Sequence, residues 1–323
     1  MPAYADSWLK VEDGLGGVRP ELTGSAESMR AQFAGLMAAL EPRYPPASGA
    51  VKTDDIKLDN IIGRVYIPVS LNAKRPLPIG VYFPPGGLVI GRSISDEVLC
   101  RTLAEKAGTI LVCVQYRLSP EYKAPIHLQD SVRAVEWMHK NASTLGGDCM
   151  RMYTIGTSAG AGLALAVTRQ IFLGLSDAPR DAIKGIVSFC PPTLHPDFIP
   201  QIYQETHSSY SEHDENVPII NGSTMRRFHK LSGLDSTNED YFIALSRQDH
   251  ARFPPTYIAT CELDPLRDDG KVLATSLRDS GVRVKTDHYE GMPHCFWIFP
   301  DIPEGADFME NAVTGVRWVI EQC

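Results

Sequence analysis

Three residue types in this chain stand where they could do chemistry together: a serine in a glycine-framed break, an aspartate after an apolar run, and a histidine in a Gly/Pro loop. Ser158 is the centre of Gly156-Thr157-Ser158-Ala159-Gly160, which fits G-x-S-x-G. A serine hydroxyl is a weak nucleophile until a base takes its proton, and that base needs a carboxylate to orient it and stabilise its charged form. Seven histidines follow Ser158, at 195, 207, 213, 229, 250, 288 and 294, so chain order alone does not choose the base. Position does. Asp264 in "CELDPLRDDG" directly follows the strand-like "TYIATCE", and His294 in "YEGMPHCFW" directly follows "RVKTDHY". His288 falls inside that second strand pattern and reads as a packed or partly exposed strand residue. His195, His207, His213, His229 and His250 fall in a polar insertion, where substrate contact or plain solvation is expected. Asp268 and Asp269 are the rival acids, but one turn into a helix they are expected to be solvated.

Attack by Ser158 on a carbonyl creates an oxyanion, which needs N–H donors. One expected donor is the amide of Ala159, the residue after the nucleophile. The others are expected from a glycine loop after an early strand, and "VYFPPGGLVIG" supplies Gly86 and Gly87 directly after "LPIGVYF". A helix beginning after Ser158 would aim its N-terminal amides at the same charge.

These residues need a scaffold. Short, β-branched, nearly continuous apolar runs at 61–69, 77–83, 109–116, 152–157, 183–190, 256–262 and 283–289 read as strands covered on both faces. Helical spacing near 95–107, 126–142, 159–174, 265–280 and 306–321 alternates with them. The alternation predicts βαβ units and a doubly wound α/β sheet, with Ser158, Asp264 and His294 all at its carboxyl edge. Two regions break the rhythm. Residues 1–50 carry one amphipathic helix, and residues 191–252 are rich in Pro, His, Ser and Asp, with helical spacing only near 224–232 and 240–246. The division expected is a core of 51–190 and 253–323, with 1–50 and 191–252 as a cap over the site.

Bulk properties narrow the function classes. The 323 residues, 43% hydrophobic and 22% charged, describe an ordinary globular chain able to bury a large core. A formal net charge of -8 without a Lys/Arg cluster argues against nucleic acid or an anionic membrane as partner. No 18-residue uncharged apolar run is present, so no membrane span is expected. Seven cysteines, several within apolar runs, read as reduced thiols of an intracellular protein, and the N-terminus lacks the apolar segment of a secretory signal. His213, Asp214 and Glu215 are adjacent rather than helix-spaced, which argues against a metal site.

Several ordered segments together resemble the hormone-sensitive-lipase-like branch of the α/β-hydrolases, the carboxylesterases of the H-G-G-G type. "YFPPGGLVIG" resembles the oxyanion loop, "VQYRLSPEYKAPIHLQD" the Y-R-L-A-P-E segment, and "GTSAGAGLA" the segment G-D-S-A-G-G-N-L-A. "FPPTYIATCELDPLRDDG" and "GMPHCFW" are similar to the acid and histidine segments. The resemblance implies an α/β-hydrolase fold with a mostly parallel, eight-stranded sheet and a helical cap. It also implies ester hydrolysis through a Ser158-His294-Asp264 triad without cofactor or metal, a small-molecule ester as substrate, and pairing as a homodimer. There are departures. Pro84 and Pro85 replace the histidine and first glycine of the oxyanion loop, Thr157 replaces the acidic residue before the nucleophile, and Gly162 replaces an asparagine. The same apparatus could also transfer an acyl group or open a lactone, a thioester or an activated C–C bond, and one branch of the family holds non-catalytic small-molecule receptors.

Overall fold

The computed structural model describes residues 3–69 and 75–323. Eight strands form one sheet: β1 Val51–Leu58, β2 Ile61–Pro68, β3 Leu77–Phe83, β4 Ile110–Gln115, β5 Gly147–Thr157, β6 Ile183–Phe189, β7 Thr256–Leu263 and β8 Val284–Pro293. Their order is β1-β2-β4-β3-β5-β6-β7-β8. β2 runs antiparallel to both its neighbours, and every pairing from β4 through β8 is parallel. The helices are α1 Asp6–Gly14, α2 Ala26–Leu40, α3 Ile94–Ala107, α4 Ile126–Asn141, α5 Ala159–Leu173, α6 Ser209–Glu212, α7 Gly222–Ser232, α8 Arg267–Asp279 and α9 Pro303–Glu321.

The central strands read as unbroken apolar runs because each serves two cores. Successive strand side chains point to opposite faces. In β3, Tyr82 joins the core that also holds Leu103 of α3 and Phe308 and Val316 of α9. Its neighbours Val81 and Phe83 join the core on the other face, with Val135 of α4, Leu165 of α5 and Leu277 of α8. The five expected helices of the alternating pattern all form, and so do the seven expected strands.

Three local expectations differ. β1 was absent from the strand pattern because it is an edge strand whose "VKTDDIKL" buries only its two ends. α1 adds a second N-terminal helix, anchored by the fully buried Trp8, whose ring meets Phe299 edge-on at 5.0 Å. Helical spacing near 240–246 produces only a 3-10 turn, Ile243–Leu245.

Residues 1–50 and 191–252 meet one another. Leu22 donates its N–H to the Ile219 carbonyl at 3.3 Å, and the Thr224 hydroxyl donates to the Leu22 carbonyl at 3.1 Å. The insertion is tied to α8 by the two carboxylates expected to be solvated. Asp269 is fully buried and accepts from the N–H groups of Thr193 and Leu194, from the Tyr210 hydroxyl, and from His207 at 2.7 Å. Asp268 accepts from the amides of Ser208 and Ser209 and from Arg267. A buried carboxylate needs such donors to offset its lost hydration, which is why the helix-face assumption fails here.

Candidate active site

The turn at Ser158 is strained. β5 ends at Thr157, α5 begins at Ala159, and Ser158 between them has φ 54 and ψ -124. Positive φ costs a residue with a side chain energy that the surrounding structure must hold in place. The Ser158 N–H is fixed by the Phe189 carbonyl at 2.8 Å. Gly160 lets α5 start this close to the sheet, since a Cβ there would lie 1.9 Å from the carbonyl oxygen of Phe83. Leu88, Cys190, Ile219 and Cys295 also have positive φ, so backbone strain gathers around this turn.

The three sequence-predicted residues come together. His294 Nε2 lies 2.9 Å from Ser158 Oγ, and His294 Nδ1 lies 2.7 Å from Asp264 Oδ2. The other oxygen of Asp264 accepts the Leu266 N–H at 2.8 Å, which fixes the carboxylate. Asp264 is fully buried, His294 is 2% exposed and Ser158 6%. Burial favours a neutral imidazole, but the Asp264 charge and its hydrogen bond outweigh that and hold His294 above the ordinary histidine range. Beneath the site the Cys190 and Cys261 sulfurs lie 3.6 Å apart, and burial pushes both thiols up, so they act as packing groups. All seven cysteines carry free thiols.

Gly86 and Gly87 follow β3 on the loop facing Ser158. Among the described residues no backbone carbonyl takes the amide of Gly86, Gly87 or Ala159, which leaves three donors beside the serine. Gly87 has φ 61, and a Cβ on it would sit 2.3 Å from the ring of Phe228 in α7. The departures from the family pattern have local replacements. The Pro84 carbonyl accepts the Tyr116 hydroxyl at 2.7 Å, which braces the loop where the family has a histidine. Tyr82 reaches both Thr157 Oγ1, at 3.2 Å, and Asp96 Oδ1, at 3.1 Å. A buried carboxyl, that of Asp96, is thus present under the Ser158 turn, supplied from α3, and burial pushes its pKa up to about 6.

Two small cavities meet at Ser158. The first, of about 30 Å³, is walled by Leu88, Leu163, Met225, Phe228, His229 and Phe242, with Gly162 on its floor. The second, of about 40 Å³, is walled by Gly86, Ile219, Phe228, His294, Cys295 and Ile298. Phe228 divides them. Phe33 and Ile90 border both the second cavity and an open groove of about 850 Å³ under α2. The sequence singles out neither Phe33 nor Phe228, and for His229 it points only to substrate contact or solvation, of which the cavity wall is the former. The signal was the apolar spacing of 224–232, whose Met225, Phe228 and His229 are one buried helical face.

None of the five insertion histidines is solvated. His207 pairs with Asp269, His250 bonds Ser276 Oγ and the Ile243 carbonyl, and His195 Nδ1 accepts the Asp197 N–H. His213 is buried, and His229 reaches the cavity. His288 is an exposed residue of β8, where its Nδ1 meets Thr260 Oγ1 at 2.9 Å.

A family model described as alpha/beta hydrolase fold matches residues 80–298. The chain is 40% identical over 324 residues to the versiconal hemiacetal acetate esterase of Dothistroma septosporum, covering 100% of this chain and 97% of that one. It is 30% identical to the enzyme of the same name from Aspergillus parasiticus, covering 98% of each. Among solved structures it is similar to vibralactone cyclase, with a TM-score of 0.86 and 25% identity, covering 99% of this chain and 96% of that one. No helix among the described residues is long and apolar enough to cross a membrane. Esterase relatives matched from end to end, on the fold that the family model describes, make this chain a carboxylic ester hydrolase belonging to the hormone-sensitive-lipase-like branch of the α/β-hydrolase family.

Proposed function

We propose that the chain hydrolyses esters of a short acyl group with a bulkier alcohol, using Ser158 as nucleophile, His294 as base and Asp264 as its orienting carboxylate. Ser158 Oγ attacks the carbonyl while its proton passes to His294 Nε2. Asp264 stabilises the imidazolium, and the amides of Gly86, Gly87 and Ala159 receive the oxyanion. His294 then protonates the departing alcohol and next draws a proton from the water that releases the acid. This chemistry calls on no cofactor.

The observation that carries the assignment of the two substrate halves is that His294 lines only one of the two cavities. The leaving oxygen must lie within reach of the histidine that protonates it. The alcohol therefore takes the second cavity and extends past Phe33 and Ile90 into the groove, while the acyl group takes the first. A space of about 30 Å³ beside a groove of about 850 Å³ suits the smaller half of the ester, a short acyl group. The relatives named for a hemiacetal acetate support the short acyl group. Residues 1–50 and 191–252 act as the cap that closes both cavities over the core of 51–190 and 253–323. Pairing of two copies, checked by solution mass, and an intracellular site of action, supported by the free thiols, belong to the same reading.

The test is a two-way ester series. With one naphthyl alcohol, kcat/KM should fall steadily beyond propionate; with acetate held constant, it should hold or rise as the alcohol grows from methyl to a fused-ring aryl group. A profile that improves with acyl length and falls with alcohol size would reverse the assignment of the cavities.

A further inference from the structure

α7 brings one polar side chain to the wall of the first cavity. His229 is 5% exposed and lies against the His195 ring at 4.8 Å and the Phe242 ring at 5.1 Å. Among the described residues its Nε2 has no hydrogen-bond partner, and it is closed off from solvent. Leu88, Leu163, Met225 and Phe242 around it are apolar. Burial, with the neighbouring His195, pushes its pKa down to about 3, so the ring is neutral and has one donor and one acceptor nitrogen. An unpaired polar atom in such a place is expensive, and the cost is largest when carbon is packed against it.

We propose that His229 selects the acyl group: with a small turn of its ring, which no hydrogen bond among the described residues holds, the unpaired Nε2 pairs with a polar atom at the acyl tip and penalises an apolar acyl chain that reaches it. The inference rests on the reading that the first cavity receives the acyl group. A pocket built around a hydrogen-bonding group discriminates more strongly against an analogue lacking the partner atom than an apolar wall does against one extra methylene. Size and polarity thus act together here. The small volume excludes long chains, and His229 disfavours even short apolar ones.

The test uses two nearly isosteric pairs of esters of one aryl alcohol, glycolate with propionate and 3-hydroxypropionate with butyrate. Each kcat/KM ratio is divided by the ratio for alkaline hydrolysis of the same pair, which removes intrinsic reactivity. In the unsubstituted protein the hydroxylated member of at least one pair should be favoured by about tenfold. His229→Phe and His229→Leu should each bring that ratio close to one, and His229→Gln should keep most of it. Equal ratios in the unsubstituted protein for both pairs, or a preference that survives in both apolar variants, would overturn the role of His229. Those results with brisk acetate turnover would leave the short-acyl reading standing. Absence of acetate turnover would remove that reading and this inference together.

Discussion

Phe228→Ala is the substitution that bears most directly on how the cavities are divided. The Phe228 side chain is 3% exposed, borders both cavities and packs on Gly87. Its removal joins spaces of about 30 Å³ and about 40 Å³ and adds the volume of the ring itself. Each methylene moved from water into such a space is favourable by about 0.8 kcal/mol. Butyrate carries two more than acetate, about 1.6 kcal/mol, and at about 1.4 kcal/mol per tenfold the butyrate-to-acetate ratio of kcat/KM should rise about 15-fold. Loss of a buried phenyl ring also costs about 3–5 kcal/mol of stability, so the thermal midpoint should fall. The assay is steady-state hydrolysis of acetate, butyrate and hexanoate esters of one alcohol at 20 °C, with folding checked by circular dichroism. An unchanged ratio, with both rates lowered equally, would refute the partition by Phe228 and show the ring to be structural only.

Three further outcomes follow from the charges. Because Asp264 holds His294 above the ordinary histidine range and the base must be neutral, activity should be lost as pH falls through that raised value, placing the acid limb of kcat/KM above the usual value of about 6.5. Asp264→Asn should move that limb down and cost about 10⁴ in kcat; a limb that stays in place would show that Asp264 does not act on His294. Asp269→Asn should destabilise the chain by about 3 kcal/mol, read as a lower midpoint in calorimetry, because it breaks the buried pair with His207 that anchors the insertion. An unchanged midpoint would mean that the pair carries no net stability.

Ser158, Asp264 and His294 were legible because each follows its own strand, and parallel strands deliver their following loops to one sheet edge. Spacing could say that much without any contact being known. The cap was legible only as composition. Its work depends on which face of α7 turns inward, and no run of residues within 191–252 states that Phe228 will rest on Gly87, more than a hundred positions earlier. The carboxylates misled for a related reason. Asp268 and Asp269 look solvated on a helix, and only the fold brings the amides of residues 193–209 to them. β1 escaped because an edge strand with exposed charges lacks the apolar run that marks a buried one.

In the proposed mechanism one hydroxyl, Ser158, carries the acyl group between alcohol and water. Intact-protein and peptide mass spectrometry after reaction with a fluorophosphonate tests it most directly. The expected result is one adduct per chain, on the peptide bearing Ser158, forming in step with loss of acetate ester hydrolysis, and a Ser158→Ala chain that takes no label and hydrolyses at least about 10⁴-fold more slowly. An adduct on another residue, or near-normal hydrolysis by Ser158→Ala, would contradict it.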